Sequence, residues 1–411
     1  MVGMSGKRGN GEGSIYPYRN GFAAYVWVDT PDGRRKRKYV YGPTRDVVHD
    51  KWIQLHGEAK KGPVTTRHRT LDAFLTYWLD SIVKPNLAPL SYISYEGSVR
   101  LYIGPHLGTK RLDKLTVRDV REWLTKLAGI CQCCAQGKDA KRSPSRQRCC
   151  AVGECCEAFP SRRVIQAARD ALRAALSHAV AEEEIGKNVA SLVKVPKPRR
   201  RRIKPWSVAE AGHFLADGVA RDDHLFAAWV LVLCLGLRRG EVLGLTWKSI
   251  DFETGELYVD HQIQRAGRQI LHRETKTEES DDFLPLPALC LKALRMRRAQ
   301  QTGDRKAAGA LWQDRHDLVF TTKYGTPIEP GNLTRMFALR ARRAGLRVIP
   351  LRNTRHTCSS LLVALKVHPK IAQRILRHSQ IAMTMEVYAE ASEDEVRAAI
   401  GKLSEVMGGA G

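Results

Sequence analysis

Between Leu225 and Leu235 the chain runs LFAAWVLVLCL, with no charge and no hydrogen-bonding side chain other than the Trp229 indole and the Cys234 thiol. A helix that is apolar all round offers no face to water, so other elements must enclose it. Residues His224 to Leu235 are therefore expected to form the central helix of a domain. The run falls short of the roughly 18 apolar residues that a membrane span needs, and no longer one occurs. The start, MVGMSGKRGNGEGS, lacks the apolar stretch of a secretory signal. A cytoplasmic protein is expected, with its ten cysteines reduced or metal-bound rather than paired.

A chain of 411 residues exceeds one ordinary domain. Residues 1–13 are Gly-rich and read as a flexible tail. Phe22, Tyr25 and Trp27, the turn Pro31-Asp32-Gly33 and the return Arg37 to Tyr41 read as a small sheet over residues 14–42. A helix from Thr44 to Ala59 follows, with Thr44 as its cap. Leu71, Phe74, Leu75, Trp78, Leu79 and Ile82 recur at helical spacing. Further helices are expected over 92–103, Leu115 to Leu127 (capped by Thr116) and Ser161 to Ala181. Ser207 with Glu210 forms a capping box at the start of a third region. There Leu257 to His261, Phe283 to Leu286 and Leu318 to Thr321 read as strands, and helices return from Gly331. Val396 to Leu403 reads as a last short helix.

Sixty-eight Lys and Arg against 43 Asp and Glu leave a net charge of +25. Such an excess favours a polyanion: DNA, RNA or an anionic membrane surface. Two basic stretches stand out. Arg34, Arg35, Lys36, Arg37 and Lys38 decorate the second strand of the first sheet. Lys197, Arg199, Arg200, Arg201 and Arg202 lie in a Pro-bounded linker. Both are candidates for a nucleic-acid backbone; a solvated hairpin tip is the lesser alternative for the first, and a solvated spacer an equal one for the second.

Cys131, Cys133, Cys134, Cys149, Cys150, Cys155 and Cys156 fall within 26 residues, among Lys138, Lys141, Arg142, Arg146 and Arg148. That thiolate density suits a structural zinc that organises a loop without a core. The adjacent Cys-Cys pairs depart from the usual C-x₂-C spacing. Free thiols are the alternative, and an intramolecular disulfide a lesser one.

Four further segments occur in order: Leu235-Gly236-Leu237-Arg238-Arg239-Gly240-Glu241, Arg352-Asn353-Thr354-Arg355-His356, Leu376-Arg377-His378-Ser379, and Tyr388 ten residues past His378. Before the second of them, Glu274-Thr275-Lys276-Thr277 precedes Phe283-Leu284-Pro285-Leu286. This order resembles the tyrosine recombinase, or phage integrase, family in its large actinobacterial form: G-x-R-x-x-E, a hairpin Lys, H-x-x-R-H, L-G-H-S and a late Tyr. The match is strongest over roughly 206–395.

The resemblance implies a multidomain α+β fold. An arm-type DNA-binding sheet plus helix would occupy 1–62. A helical core-binding domain would span 66–195, with the cysteine-rich insertion 131–156, and a basic linker 196–205. A mainly α catalytic domain with a small antiparallel sheet would span 206–395, and a C-terminal helix and tail 396–411. It implies Arg238 and Arg355 as guanidinium clamps on a phosphate, Glu241 as their support, Lys276 as general acid, His378 as a further phosphate ligand and Tyr388 as nucleophile. Arg352 stands where the family has its first His. A guanidinium stays protonated and cannot serve as general base. Arg377 replaces the usual Gly of L-G-H-S.

The implied function is site-specific recombination: cutting and rejoining DNA through a 3′-phosphotyrosyl link to integrate or excise a phage or mobile element. The ester conserves bond energy, so no cofactor is required for catalysis. Implied partners are double-stranded att-type DNA sites, three further copies of the chain, and an excisionase or directionality factor, with no membrane. Two alternatives remain open here: a sequence-specific DNA-binding protein with an impaired recombinase core, and a type IB topoisomerase.

Overall fold

The computed structural model describes residues 15–30, 33–62, 69–196, 203–275, 283–388 and 400, in two compact units, Met1–Arg199 and Arg200–Gly411. The Gly-rich start, Pro31-Asp32, the linker residues Lys197 to Arg202, Lys276 and, apart from Ile400, residues 396–411 lie outside the described residues. Among the described residues no helix is long and apolar enough to cross a membrane.

The first unit opens with an antiparallel sheet of three strands, β1 (Tyr16–Tyr18), β2 (Gly21–Asp29) and β3 (Arg35–Gly42), followed by α1 (Arg45–Lys61). Thr44 caps α1 by accepting from the Val47 amide at 3.4 Å. Strand side chains alternate between faces. Val26 and Val28 therefore point one way, where they pack with Leu55, Trp52 and Val40. Tyr25 and Trp27 point the other way.

Helices then dominate: α2 (Leu71–Tyr77), α3 (Pro89–Ser98), α4 (Val117–Ala128) and α5 (Arg162–Ala181). The expected helices over 71–82 and 92–103 form, but each passes through a π-helical turn, Trp78–Val83 and Val99–Ile103, before a last α-helical turn, Lys84–Asn86 and Gly104–Leu107. Their apolar faces enclose Phe74, Trp78, Ile103, Leu127 and Leu172 in one core. Thr116 and Asp119 form a full capping box on α4.

The second unit begins with α6 (Val208–Ala220), where Ser207 and Glu210 complete the expected capping box. The apolar run forms α7 (Phe226–Cys234), buried from Phe226 to Leu233. Trp206, Phe214, Trp229 and Phe337 stack in its surroundings with ring centroids 5.1–6.1 Å apart. A short helix α8 (Arg239–Gly244) leads into β4 (Ile250–Asp251), β5 (Glu256–Tyr258), β6 (His261–Ala266), β7 (Gln269–Glu274) and β8 (Phe283–Pro285). These make two small antiparallel sheets, β4-β5-β8 and β6-β7. The helices α9 (Ala288–Ala308), α10 (Pro330–Arg343), α11 (Thr354–Ala364), α12 (Pro369–Leu376) and α13 (Ile381–Tyr388) complete the described part.

Two strand expectations need correction. Leu257 to His261 breaks after Tyr258 and restarts in the other sheet at His261. Leu318 to Thr321 is buried but forms only isolated bridges, at Thr246 and Pro327. The reason is local: the Gln301 amide donates to the Leu318 carbonyl at 2.8 Å, and Arg297 Nε donates to Val319 at 3.0 Å. Side chains of α9 take carbonyls that a partner strand would otherwise use.

Helix α8 lies unusually close to β6. A Cβ on Gly244 would sit 2.5 Å from the Gln262 Cα, and one on Gly240 2.9 Å from the Ile263 carbonyl oxygen. The obstacle at Gly244 is backbone, which cannot swing aside. We expect Gly244→Ala to destabilise the second unit by about 1–3 kcal/mol, seen as a lower urea midpoint by Trp fluorescence; an unchanged midpoint would show that α8 can retreat from the hairpin freely.

Candidate functional site

Four of the candidate residues converge in the second unit. Gly236 ends the turn after α7 with φ +60, a conformation that glycine adopts at little cost. A Cβ there would lie 2.8 Å from Leu376 and 3.4 Å from the Arg355 stem. Its carbonyl accepts from Arg355 Nη1 at 2.9 Å. Arg238 caps α8: its amide donates to Glu241 Oε2 at 2.9 Å and its Nη1 to Oε1 at 2.6 Å. The Arg238 side chain is still 46% exposed, so it is anchored by one edge and open on the other.

Glu241 is 3% exposed and takes a second partner, the Arg377 guanidinium. Burial alone would raise its carboxyl pKa; Arg377 and then Arg238 outweigh that and hold it below the usual value. Arg377 is the residue where the family has Gly. It sits at the end of α12 with φ 49, ψ 56, the left-handed conformation. The glycine-type backbone is thus kept, at a cost of roughly 1–3 kcal/mol for a side chain there. The buried pairing with Glu241 offsets that cost.

Arg355, at the start of α11, is held on three sides. Besides Gly236, its Nη2 donates to the Arg377 carbonyl at 3.3 Å and its Nε to His378 Nε2 at 3.2 Å. Burial first, then Arg238, pull its pKa down to about 9. A guanidinium can only donate, so His378 Nε2 is the acceptor and Nδ1 carries the proton. Nδ1 then donates to Thr384 Oγ1 at 2.9 Å. Burial, and after it Arg355, Arg238 and His356, lower the His378 pKa to about 4. The ring is neutral at pH 7.

Tyr388 ends α13, half-buried, its pKa raised by burial. Among the described residues its hydroxyl donates to the Val367 carbonyl, in the turn between α11 and α12, rather than to Arg238, Arg355 or His378. Arg352 is exposed on the turn Leu351–Asn353 and makes no hydrogen bond or ion pair among the described residues. His356 is also exposed, one position from the half-buried Arg355. Lys276 is outside the described residues. The hairpin β6-β7 leads towards it, and the Thr275 amide donates to the Asp260 carbonyl at 2.7 Å. Thr384, Arg377 and the Val367 carbonyl are the partners that sequence reasoning missed. Only Thr384, four residues before Tyr388 on one helix, left a spacing signal.

In the first unit the basic run divides. Trp27 pairs with Arg37 and Tyr25 with Tyr39, so Arg35 and Arg37 share the outer face with the aromatic rings. Arg37 lies 4.8 Å over Tyr25 and 4.7 Å over Trp27; Arg35 lies 5.7 Å over Trp27. Tyr18, Tyr39 and Tyr41 extend that face. Lys36 and Lys38 pair with Val28 and Val26 on the helix side, and burial lowers the Lys38 pKa. Arg34 is exposed just before β3. The seven clustered cysteines form no disulfide with one another; Cys131, Cys133 and Cys149 are buried, Cys134 and Cys150 partly so, and Cys155 and Cys156 exposed.

A mainly α unit with two small sheets, bearing arginines on either side of a neutral histidine, has the fold of the integrases. The Tn1549 transposon integrase, solved in complex with a circular intermediate DNA, superposes with a TM-score of 0.61 at 22% identity, over 82% of this chain and 99% of that one. The description "Phage integrase family" matches residues 219–395, and "Phage integrase, N-terminal SAM-like domain" matches 70–128. The chain is 25% identical to a XerC-like tyrosine recombinase of Caldanaerobacter subterraneus, over 92% of this chain and 93% of that protein. It is 26% identical to an integrase of Streptomyces ambofaciens, over 94% of each. The chain belongs to the phage integrase family of tyrosine recombinases. It is a tyrosine-type site-specific DNA recombinase, an enzyme of a family that needs no cofactor for catalysis.

The depressed His378 pKa has a signed consequence. Between the unfolded value near 6.5 and the folded value of about 4, the unfolded chain binds a proton that the native site refuses. This contribution to stability is complete above pH 6.5 and is lost as the pH falls towards 4. We expect the His378 ring resonances to titrate below pH 5, and His378→Gln to flatten the acid limb of Tm against pH; a ring midpoint near 6.5 would contradict the site's electrostatics.

Proposed function

We propose that Tyr388 is the nucleophile and that Arg238, Arg355 and His378 hold the scissile phosphate. The supporting observation is a charge imbalance. Among the described residues, Arg238 and Arg355 both act on the neutral His378 and, with Arg377, surround one buried carboxylate, Glu241, so the site is rich in positive charge. A phosphodiester whose non-bridging oxygens gain charge during attack meets that excess. The Tyr388 oxygen would form the bond to phosphorus as the bond to the 5′ oxygen breaks, and Lys276 would protonate the leaving oxygen. Reversal by a 5′ hydroxyl of another strand rejoins the DNA. Bound phosphate would also offset the two arginines that depress His378, making its ring a better proton acceptor for the phenol. Arg352 would act only as a hydrogen-bond donor to DNA.

The exposed Arg and aromatic face of the first sheet would contact accessory DNA sites, with Arg34, Arg35 and Arg37 along the backbone; Lys197, Arg199, Arg200, Arg201 and Arg202 of the linker would also contact DNA. Lys36 and Lys38, on the helix side, are the weaker members of that set. The helical region 66–195 and the catalytic region 206–395 would both bind the att-type core site. Two duplexes and paired strand exchanges call for four protomers, and an excisionase would set direction. The relatives named as transposases of Tn916 (Enterococcus faecalis; 26% identity over 43% of this chain) support a mobile-element setting. The cysteine-rich insertion would hold structural zinc.

The test of the active site uses nicked att-like DNA on a denaturing gel. Wild type should form a covalent adduct, Tyr388→Phe none, and Arg238→Ala an adduct forming about 10²–10³-fold more slowly. DNA binding without any tyrosine-dependent adduct would leave a DNA-binding protein with an impaired core; relaxation of arbitrary plasmids without exchange would leave a topoisomerase. For the first sheet, Arg37→Ala should weaken accessory-site binding and lower the salt slope by about 1 while core-site cleavage persists; equal loss of both would place Arg37 in folding instead.

A further inference from the structure

The insertion 131–156 folds without a hydrocarbon core. Its buried centre is sulfur: Cys131, Cys133 and Cys149, with Cys134 and Cys150 packed against them. The sulfurs stand at a distinctive separation. Cys131 to Cys156 is 3.9 Å, Cys134 to Cys149 3.5 Å and Cys134 to Cys155 3.7 Å. A disulfide would be about 2.05 Å. Thiolates around a tetrahedral zinc, with Zn–S about 2.3 Å, stand roughly 3.8 Å apart.

Connectivity among the sulfurs bears on the number of ions. Cys131, Cys134 and Cys149 form one group with all sulfurs within 4.8 Å of one another, and Cys133, Cys149 and Cys156 form a second. Cys149 belongs to both. Cys131 reaches from the first group to Cys156 of the second, and Cys134 reaches outwards to Cys155. Six sulfurs are thus joined in one network, two more than a single tetrahedral ion accepts. Two tetrahedra that share an edge use six sulfurs, two of them bridging.

We propose that this insertion binds two zinc ions in one six-thiolate cluster. Cys131 and Cys149 bridge; Cys133 and Cys156 complete one ion, Cys134 and Cys155 the other. The proposal rests on the structural-zinc reading above. Cys150 stays outside the ligand set. The surroundings suit an anionic cluster. The Cys156 amide donates to Cys149 Sγ at 3.1 Å and the Glu157 amide to Cys155 Sγ at 3.4 Å, bonds that orient and stabilise ligating thiolates. Asp139, fully buried, accepts from the amides of Arg148, Cys149 and Ala151 at 2.7–3.3 Å and from Arg142 Nη1 at 2.9 Å. It is a positioning residue that fixes the turn presenting Cys149. Six thiolates and two dications leave a charge of −2, and Lys138, Arg142 and Arg148 line the cleft beside Cys133 and Cys156.

The test is metal analysis of the full chain purified without chelator, with 113Cd NMR after exchange of zinc for cadmium. We expect two zinc per chain, two for Cys150→Ser and one for Cys155→Ser, with two mutually coupled cadmium resonances. One zinc per chain, unchanged in Cys155→Ser, would overturn the two-ion cluster but keep a structural zinc. Two uncoupled resonances would overturn the bridging. No zinc, with all seven thiols reactive to a disulfide reagent in the folded protein, would remove both readings.

Discussion

The Glu241 carboxylate is the contact on which the second unit's site depends. It is nearly sealed from water and joins two guanidiniums that arrive from distant parts of the chain, Arg238 from the start of α8 and Arg377 from the end of α12. A buried carboxylate left alone would cost several kcal/mol. Paired twice, it becomes a fixed point. Arg377, anchored there, presents its own carbonyl to Arg355, and Arg355 in turn orients His378. One acid residue therefore sets the positions of four basic side chains.

Its support lies in close packing. Glu241 rides on a helix of six residues, too short to be stable by itself. The absence of side chains at Gly240 and Gly244 lets that helix rest against β6. The β6-β7 hairpin turns at Gly267, with φ +57, which suits a two-residue turn of type II′. The same hairpin that braces α8 from one side ends at Glu274, shortly before Lys276 in the sequence.

Much of this architecture is legible in the residues. Helical periodicity locates the helices of the first unit, the apolar run locates α7, and Ser207-Glu210 and Thr44 mark the starts of α6 and α1, whereas α9 (Ala288–Ala308) was not expected. The errors have physical causes. Leu318 to Thr321 has strand-like residues, but Arg297 and Gln301 take its carbonyls. A hairpin carrying Lys276 was expected, but the strand Gln269–Glu274 was not; the Gly267 turn was its available signal. At the site, the motif order foreshadows that Arg238, Glu241, Arg355 and His378 meet. The pairing of Arg377 with Glu241 spans 136 positions and follows from no local pattern. The division of the basic run into Arg35 and Arg37 on the aromatic face and Lys36 and Lys38 on the helix side follows from strand alternation, once the register is known.

The hydrogen bond from Tyr388 to Val367 bears on timing. A phenol that gives its proton to a backbone carbonyl cannot at that moment pass it to a base, nor turn its oxygen to a phosphorus atom. Under the role proposed for it, the first event is a rearrangement of α13, not a chemical step. One such bond contributes about 1 kcal/mol, so the free protein would hold a minority of its tyrosines ready. A recombinase that idles with its blade folded leaves chance encounters with DNA uncut and reserves cutting for contacts that displace that helix.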